Sequence, residues 1–235
     1  MATDVLAAAE FYGSRKGGVA ARLLRARLAA MWPDLAGKAI LGVGYPAPYL
    51  RLWRDDARAC IALTPSQIGI ASWPSGQANL SCTADEDSLP FADRSFDRVL
   101  LVHGLEAAER ARQLLREIWR VMDDDGRLLI VTPNRSGMWA HLENTPFGQG
   151  QPYSPGQIAR LLQATMFREE RRDTALFMPP TDLRIVLRAA ALWERGGRRL
   201  LPGFAGVTIT EASKDIYAVI PLRRGFRRMV LAKAA

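Results

Sequence analysis

Two cysteines and two histidines are all that 235 residues offer to a disulfide framework or a metal centre. Cys60 and Cys82 lie in separate apolar, strand-like runs. They read as small buried side chains rather than a bridge or a reactive thiol. His103 and His141 stand apart from each other and from the cysteines, without the ligand spacing of a zinc site, so no metal is expected. No apolar run approaches the ~18 residues of a membrane span. The chain starts with Asp4 and Glu10 around a short alanine stretch, with neither the basic start nor the apolar core of a secretion signal. The expected location is therefore cytoplasmic. There is no P-loop, nucleophile elbow, internal repeat or low-complexity tract.

Lysine is also scarce, at Lys16, Lys38, Lys214 and Lys233 only, so arginine carries the net charge of +8. Such a charge suits nucleic acid, an anionic membrane surface or an acidic partner, and equally suits arginines spread over solvated faces. The clusters fall in the C-terminal third, at Arg195, Arg198 and Arg199 and again at Arg223, Arg224, Arg227 and Arg228. The first cluster continues an amphipathic stretch over 182–194, a pattern that fits an anionic partner or membrane surface. No aromatic–basic motif argues for nucleic acid in particular.

Hydrophobic residues make up 49% of the chain, enough for one large α/β domain over 1–235. Leu24, Leu28, Met31 and Trp32 share one face of a predicted helix over 18–32, closed by Pro33 and Gly37. Strands are predicted at 39–43, 59–63 and 80–83. Thr64, Pro65 and Gln67 have the spacing of a capped helix start, as do Ser154, Pro155 and Gln157. Further strands are predicted at 174–178 and at 207–210 with 216–220, the last as a strand or a hairpin, and a helix at 182–194.

The most informative stretch is Leu89 to Asn134, LPFADRSFDRVLLVHGLEAAERARQLLREIWRVMDDDGRLLIVTPN. Val99 to Val102 is a short apolar run of the kind an interior parallel strand needs. Ala111, Leu114, Leu115, Ile118 and Met122 then repeat at helical spacing. Asp124, Asp125 and Gly126 turn the chain into a second apolar strand, Leu128 to Val131, completing a βαβ unit. The phrase LPF-x-D-x-S-FD-x-V, followed by Glu117, Arg120, Val121 and Gly126, resembles the class I S-adenosylmethionine-dependent methyltransferases. The resemblance covers 18–178 and leaves the basic segment 179–235 unassigned. It implies a Rossmann-like, doubly wound, mostly parallel sheet of seven strands in the order 3-2-1-4-5-7-6. It also implies S-adenosylmethionine as cofactor and a methyl acceptor that the sequence does not identify.

Ligands of such sheets bind at the carboxyl ends of the strands, where strand order switches. The resemblance carries cofactor contacts onto Gly42, Gly44 and Tyr45 after the first strand, Thr64 after the second, Asp85 and Glu86 after the third and His103 after the fourth, with Tyr12 folding over them. Asp85 holds the register to LPF at which the family accepts from the adenine amino group, and the Glu86 backbone addresses the ring. His103 faces the methyl group, as a general base or as a packing residue. Glu106 favours the start of the next helix. The loop holding Trp139, His141, Pro146, Phe147, Gly148, Gly150 and Tyr153 is a candidate acceptor pocket. The chain departs from the family pattern at three places. Ile40 stands where an acid receives the cofactor's ammonium group, Pro46 replaces the third glycine, and Thr64 replaces the acid that holds the ribose. Those losses keep a second reading open, a catalytically inactive binding or scaffold module on the same fold.

Overall fold

The computed structural model describes residues 5–69, 72–74 and 76–216. Five parallel strands, β1 (Ala39–Gly44), β2 (Ala59–Pro65), β3 (Ser81–Ala84), β4 (Phe96–Val102) and β5 (Met122–Pro133), are joined by β6 (Phe167–Ala175) and β7 (Val207–Lys214). They form one sheet in the order β3-β2-β1-β4-β5-β7-β6, with β7 antiparallel to both neighbours. This is the expected order. The sheet's buried central strands carry apolar residues that need cover on both faces. Alternation along each strand sends successive side chains to opposite faces. Ile40, Leu100, Leu129 and Ile209 pack under α1 (Val5–Gly13) and α2 (Arg15–Met31). Leu41, Val43, Leu101 and Ile130 pack under α4 (Ala111–Val121) and α5 (Pro155–Ala164), with α3 (Ala47–Leu50) a single turn after β1.

The motif that carried the resemblance acts here as a structural clamp. Glu117 accepts from the Leu89 N–H at 2.9 Å. The Arg120 guanidinium reaches the Leu89 and Phe91 carbonyls at 2.9 and 2.8 Å, and also binds Glu117 and Asp93. The hydrogen bonds from Arg120 pull the Glu117 carboxyl below its ordinary range. Two side chains one helical turn apart on α4 thereby fix the loop that leads into β4.

Several boundaries differ from the sequence reading. α2 starts at Arg15, and the preceding α1, which holds Phe11 and Tyr12, was not foreseen. Thr64 is no helix cap: β2 continues through Pro65, and only a 3₁₀ turn, Ser66–Ile68, follows. Ser154, by contrast, makes the full capping box with Gln157. The acidic turn 123–126 is a bulge within β5 rather than a break before it. The strand expected at 174–178 lies at 167–175, and the helix expected at 182–194 is two, α6 (Arg184–Arg188) and α7 (Ala190–Leu200). Of the two C-terminal strand segments, 207–210 belongs to β7, and 217–220 lies outside the described residues, as do Arg223, Arg224, Arg227 and Arg228. No helix among the described residues is long and apolar enough to cross a membrane. Cys60 and Cys82 are both free, and burial pushes the Cys60 thiol up to about 12.

Glu194 on α7 is almost fully buried, and its Oε1 accepts from the Phe177 N–H at 2.7 Å while Oε2 has no partner. Burial raises its pKa above the ordinary 4.5 despite that donor. A raised folded pKa means the native state holds the proton more tightly. The stabilisation is complete below the unfolded pKa and is lost as pH rises through the folded one. Denaturant midpoints should therefore fall as pH rises from the unfolded pKa through the raised folded value. That slope should flatten in Glu194→Gln; an unchanged slope would contradict it.

Candidate active site at the carboxyl edge of the sheet

Parallel β1 and β4 end side by side, Gly44 opposite Val102, and the segments leaving them meet the end of α1. There Tyr12 Oη lies 2.7 Å from His103 Nε2 and 2.7 Å from Tyr49 Oη. His103 Nδ1 lies 3.1 Å from Glu106 Oε1, and both residues are almost completely buried. A carboxylate only accepts, so His103 donates its Nδ1–H to Glu106 and presents Nε2 as the acceptor for the Tyr12 hydroxyl. His103 sits at φ 53°, a left-handed conformation that aims its ring back toward α1. Burial, with Tyr49 and Glu106 alongside, holds the Tyr12 phenol well above its ordinary pKa. Tyr12 is thus neutral and hands on a proton only as it takes another. Its ring stacks on Tyr45 at 5.8 Å between centroids. Phe147 packs edge-on against His103 at 4.8 Å and against Trp139 at 5.4 Å.

Glu106 was read as favouring the start of a helix. The structure instead makes it the buried partner of His103, five residues before α4 begins, and its Oε2 has no hydrogen-bond partner. Its spacing of three from His103 was the available signal; its direction into the interior was not. Trp139 and Phe147, read as part of an acceptor loop, are fully buried behind His103. They form the wall of this edge rather than an open pocket.

The glycines sit in close-packed surroundings. A Cβ on Gly42 would lie 2.5 Å from Pro46 Cβ, and one on Gly44 would lie 2.2 Å from the Val102 carbonyl oxygen. Gly44 also has φ +92°, and the Tyr45 N–H is spent on the Val102 carbonyl at 2.7 Å. Both bare faces therefore meet protein atoms. Gly44→Ala should cost about 2–4 kcal/mol of stability through backbone strain and displacement of Val102. Urea unfolding checks it, and a change below about 0.5 kcal/mol would show that the loop yields freely.

The ends of β2 and β3 offer more to a ligand. Asp85 is exposed and takes a hydrogen bond from Ser66 Oγ at 2.5 Å on Oδ1. It lines a cavity of about 230 Å³ with Gln67, Asp87 and Arg110. The Glu86 carboxylate is buried and caps the approach to α4 by accepting from the Arg110 N–H at 3.0 Å. Its side chain is thereby tied to the segment that leads into α4, and the residue also lines the cavity. Thr64 is buried in β2 opposite Thr83, and Ile40 is buried in β1. The structure thus brings Tyr12, Tyr45 and His103 together at one place and Asp85 and Glu86 at another.

Tested against S-adenosylmethionine, this edge fits in part. Asp85 can still accept beside a cavity, as a ring amino group would need, and aromatic faces beside His103 suit a sulfonium cation. The ammonium end lacks an acid at Ile40, and the buried carboxylate this edge does provide is Glu106.

Residues 41–130 match the methyltransferase domain family. An uncharacterized protein of Mycobacterium tuberculosis is 30% identical over 143 residues, covering 58% of this chain and 49% of that protein. The chain spans about half the length of such curated relatives. Among solved structures, the methyltransferase complexed with the Haloferax volcanii Trm112 activator has a TM-score of 0.61 at 19% identity, covering 91% of this chain and 99% of that one. An S-adenosylmethionine-dependent methyltransferase from Archaeoglobus fulgidus has a TM-score of 0.58 at 19% identity, covering 87% and 96%. The [4+2]-cyclase SpnF has a TM-score of 0.55 at 21% identity, covering 81% and 80%. Identities this low show a shared fold, and one fold hosts different chemistries.

Proposed function

We propose that this chain, whose residues 41–130 match the methyltransferase domain family, is a class I S-adenosylmethionine-dependent methyltransferase that binds that cofactor and methylates a nucleophilic acceptor at the carboxyl edge of its sheet. The observation that supports this best is the buried Glu106–His103–Tyr12 chain, at the strand ends where the superfamily's methyl group lies. S-adenosylmethionine supplies an electrophilic methyl group on a sulfonium. Asp85 accepts from the adenine amino group, the Glu86 backbone faces the ring, and Tyr12 and Tyr45 lay aromatic faces beside the positive charge. Glu106 fixes the His103 tautomer and stabilises the imidazolium that forms when Nε2 takes the acceptor's proton through the Tyr12 hydroxyl. The packed Phe147 and Trp139 wall keeps water from that face.

A non-catalytic module on the same fold is the second reading. It is favoured by the self-filled glycine loop and by the loss of acids at Ile40 and Thr64. Calorimetry with S-adenosylhomocysteine separates the two. Binding is expected, weakened about tenfold or more by Asp85→Ala, which removes one acceptor, and unchanged by Asp56→Ala. No heat of binding at ligand concentrations of about 1 mM would end the enzyme reading and leave the module standing.

A further inference from the structure

Between the first turns of α2 and the short α6 lies an open cavity of about 660 Å³. Four arginines, Arg15, Arg22, Arg184 and Arg188, line it together with Val19 and Leu187. Among the described residues none of the four has a hydrogen-bonding or ion-pairing side-chain partner, although carboxylates elsewhere on the surface are freely used for pairs. Asp182, two residues before Arg184, is engaged by Lys16 at 3.2 Å. The first turn of α2 carries no acid and two bases, Arg15 and Lys16, against the positive end of the helix dipole. Like charges gathered around one cavity at a helix N-terminus cost stability unless an anion offsets them.

The cavity also lies at the correct edge. α2 ends at Met31 and a short loop leads from there into β1 at Ala39, so its first turn lies toward the carboxyl end of that strand. Arg15 is only three residues from Tyr12, whose hydroxyl meets His103. α6 follows β6, which runs parallel to β5 because both are antiparallel to β7. Both walls of the cavity thus converge on the edge that holds His103. Leu183 and Ile185, which flank Arg184 in the chain, are strongly exposed apolar side chains.

We propose that this arginine cavity binds the phosphate of an amphiphilic phosphate ester and that this ester is the methyl acceptor. Guanidinium forks pair phosphate oxygens bidentately, and Val19 and Leu187 take the apolar part. The ligand's identity as acceptor rests on the methyl-transfer reading; its binding does not.

Phenyl phosphate is the probe, added to the full chain at low salt and followed by calorimetry. It should bind saturably and more tightly than inorganic phosphate. Arg22→Gln and Arg188→Gln should each weaken it about tenfold, because each removes a charge-assisted pair. Both side chains are exposed and unpaired, so neither variant should have a thermal midpoint below that of the parent. Asp85→Ala should leave phenyl phosphate binding intact. Cosedimentation with phosphatidylglycerol but not phosphatidylcholine vesicles, lost in Arg188→Gln, identifies a lipid headgroup as the source. Phenyl phosphate binding without sedimentation identifies a soluble ester; either supports the site. Absence of saturable binding, or binding indifferent to both arginine variants, overturns it. Phosphate binding in a protein that fails to bind S-adenosylhomocysteine overturns the acceptor assignment alone.

Discussion

Trp139→Ala should lower the unfolding free energy by about 3–5 kcal/mol, the largest stability loss expected from one substitution in this chain. Trp139 is completely buried and meets Phe11 and Phe147 edge-on. Its indole N–H donates to the Met178 carbonyl at 2.8 Å. The bare face of Gly206 leaves room for the ring, since a Cβ there would lie 2.3 Å from Trp139 Cδ1. The substitution opens a cavity between α1, the 138–148 segment and β7, and it strands a buried carbonyl. Trp193, 44% exposed on α7, is the control, and its alanine variant should cost no more than about 1 kcal/mol. Guanidinium unfolding followed by circular dichroism gives both values. A loss below about 1 kcal/mol at Trp139 would mean that the wall behind His103 is not the structural centre described here.

His103→Asn should reduce methyl-transfer turnover by about 10²–10⁴-fold. Asparagine is chosen because it tolerates the left-handed backbone at φ 53° and can still hydrogen-bond Glu106, so that carboxylate is not left wholly unpaired. What it removes is a nitrogen able to take a proton. Turnover is read as S-adenosylhomocysteine formed from the cofactor, with a small-molecule fraction of cell extract as the acceptor source. Affinity for S-adenosylhomocysteine should stay within about threefold, since the loss is in chemistry rather than binding. Unchanged turnover would reduce His103 to a packing residue. Tyr12 then becomes the informative second position. Removing its hydroxyl as Tyr12→Phe breaks the link to both His103 and Tyr49 while leaving the stack on Tyr45.

The sheet order was legible only through the family resemblance, while the central strands themselves were legible because their signals are strong and local. Apolar runs at β1, β2, β4 and β5 need burial on both faces, and the α4 stripe of Leu114, Leu115 and Ile118 supplies part of that cover. The LPF phrase placed β4 for the same reason that Glu117 and Arg120 recur after it: they clamp it. β6 was misplaced because its sequence, FREERRDTA, is charged at almost every position. It is an edge strand whose charges pair within the strand, Arg168 with Glu170 and Arg172 with Glu169, and across to β7, Arg171 with Glu211. No hydrophobic period can announce such a strand.

By itself the sequence determined the alternation of strands and helices, the clamp around β4, the capping box at Ser154 and the candidate residues His103, Asp85 and Tyr12. The tertiary structure decided which of them meet. Tyr12 and His103 are 91 positions apart and touch because two strand ends and one helix end share an edge. Glu106 meets His103, and the bare faces of Gly42 and Gly44 meet Pro46 and Val102, through contacts that no spacing encodes. Propensity and period act over a few neighbouring residues. The environment of a polar side chain is set by chain segments that are close only after the sheet has closed its layers around them.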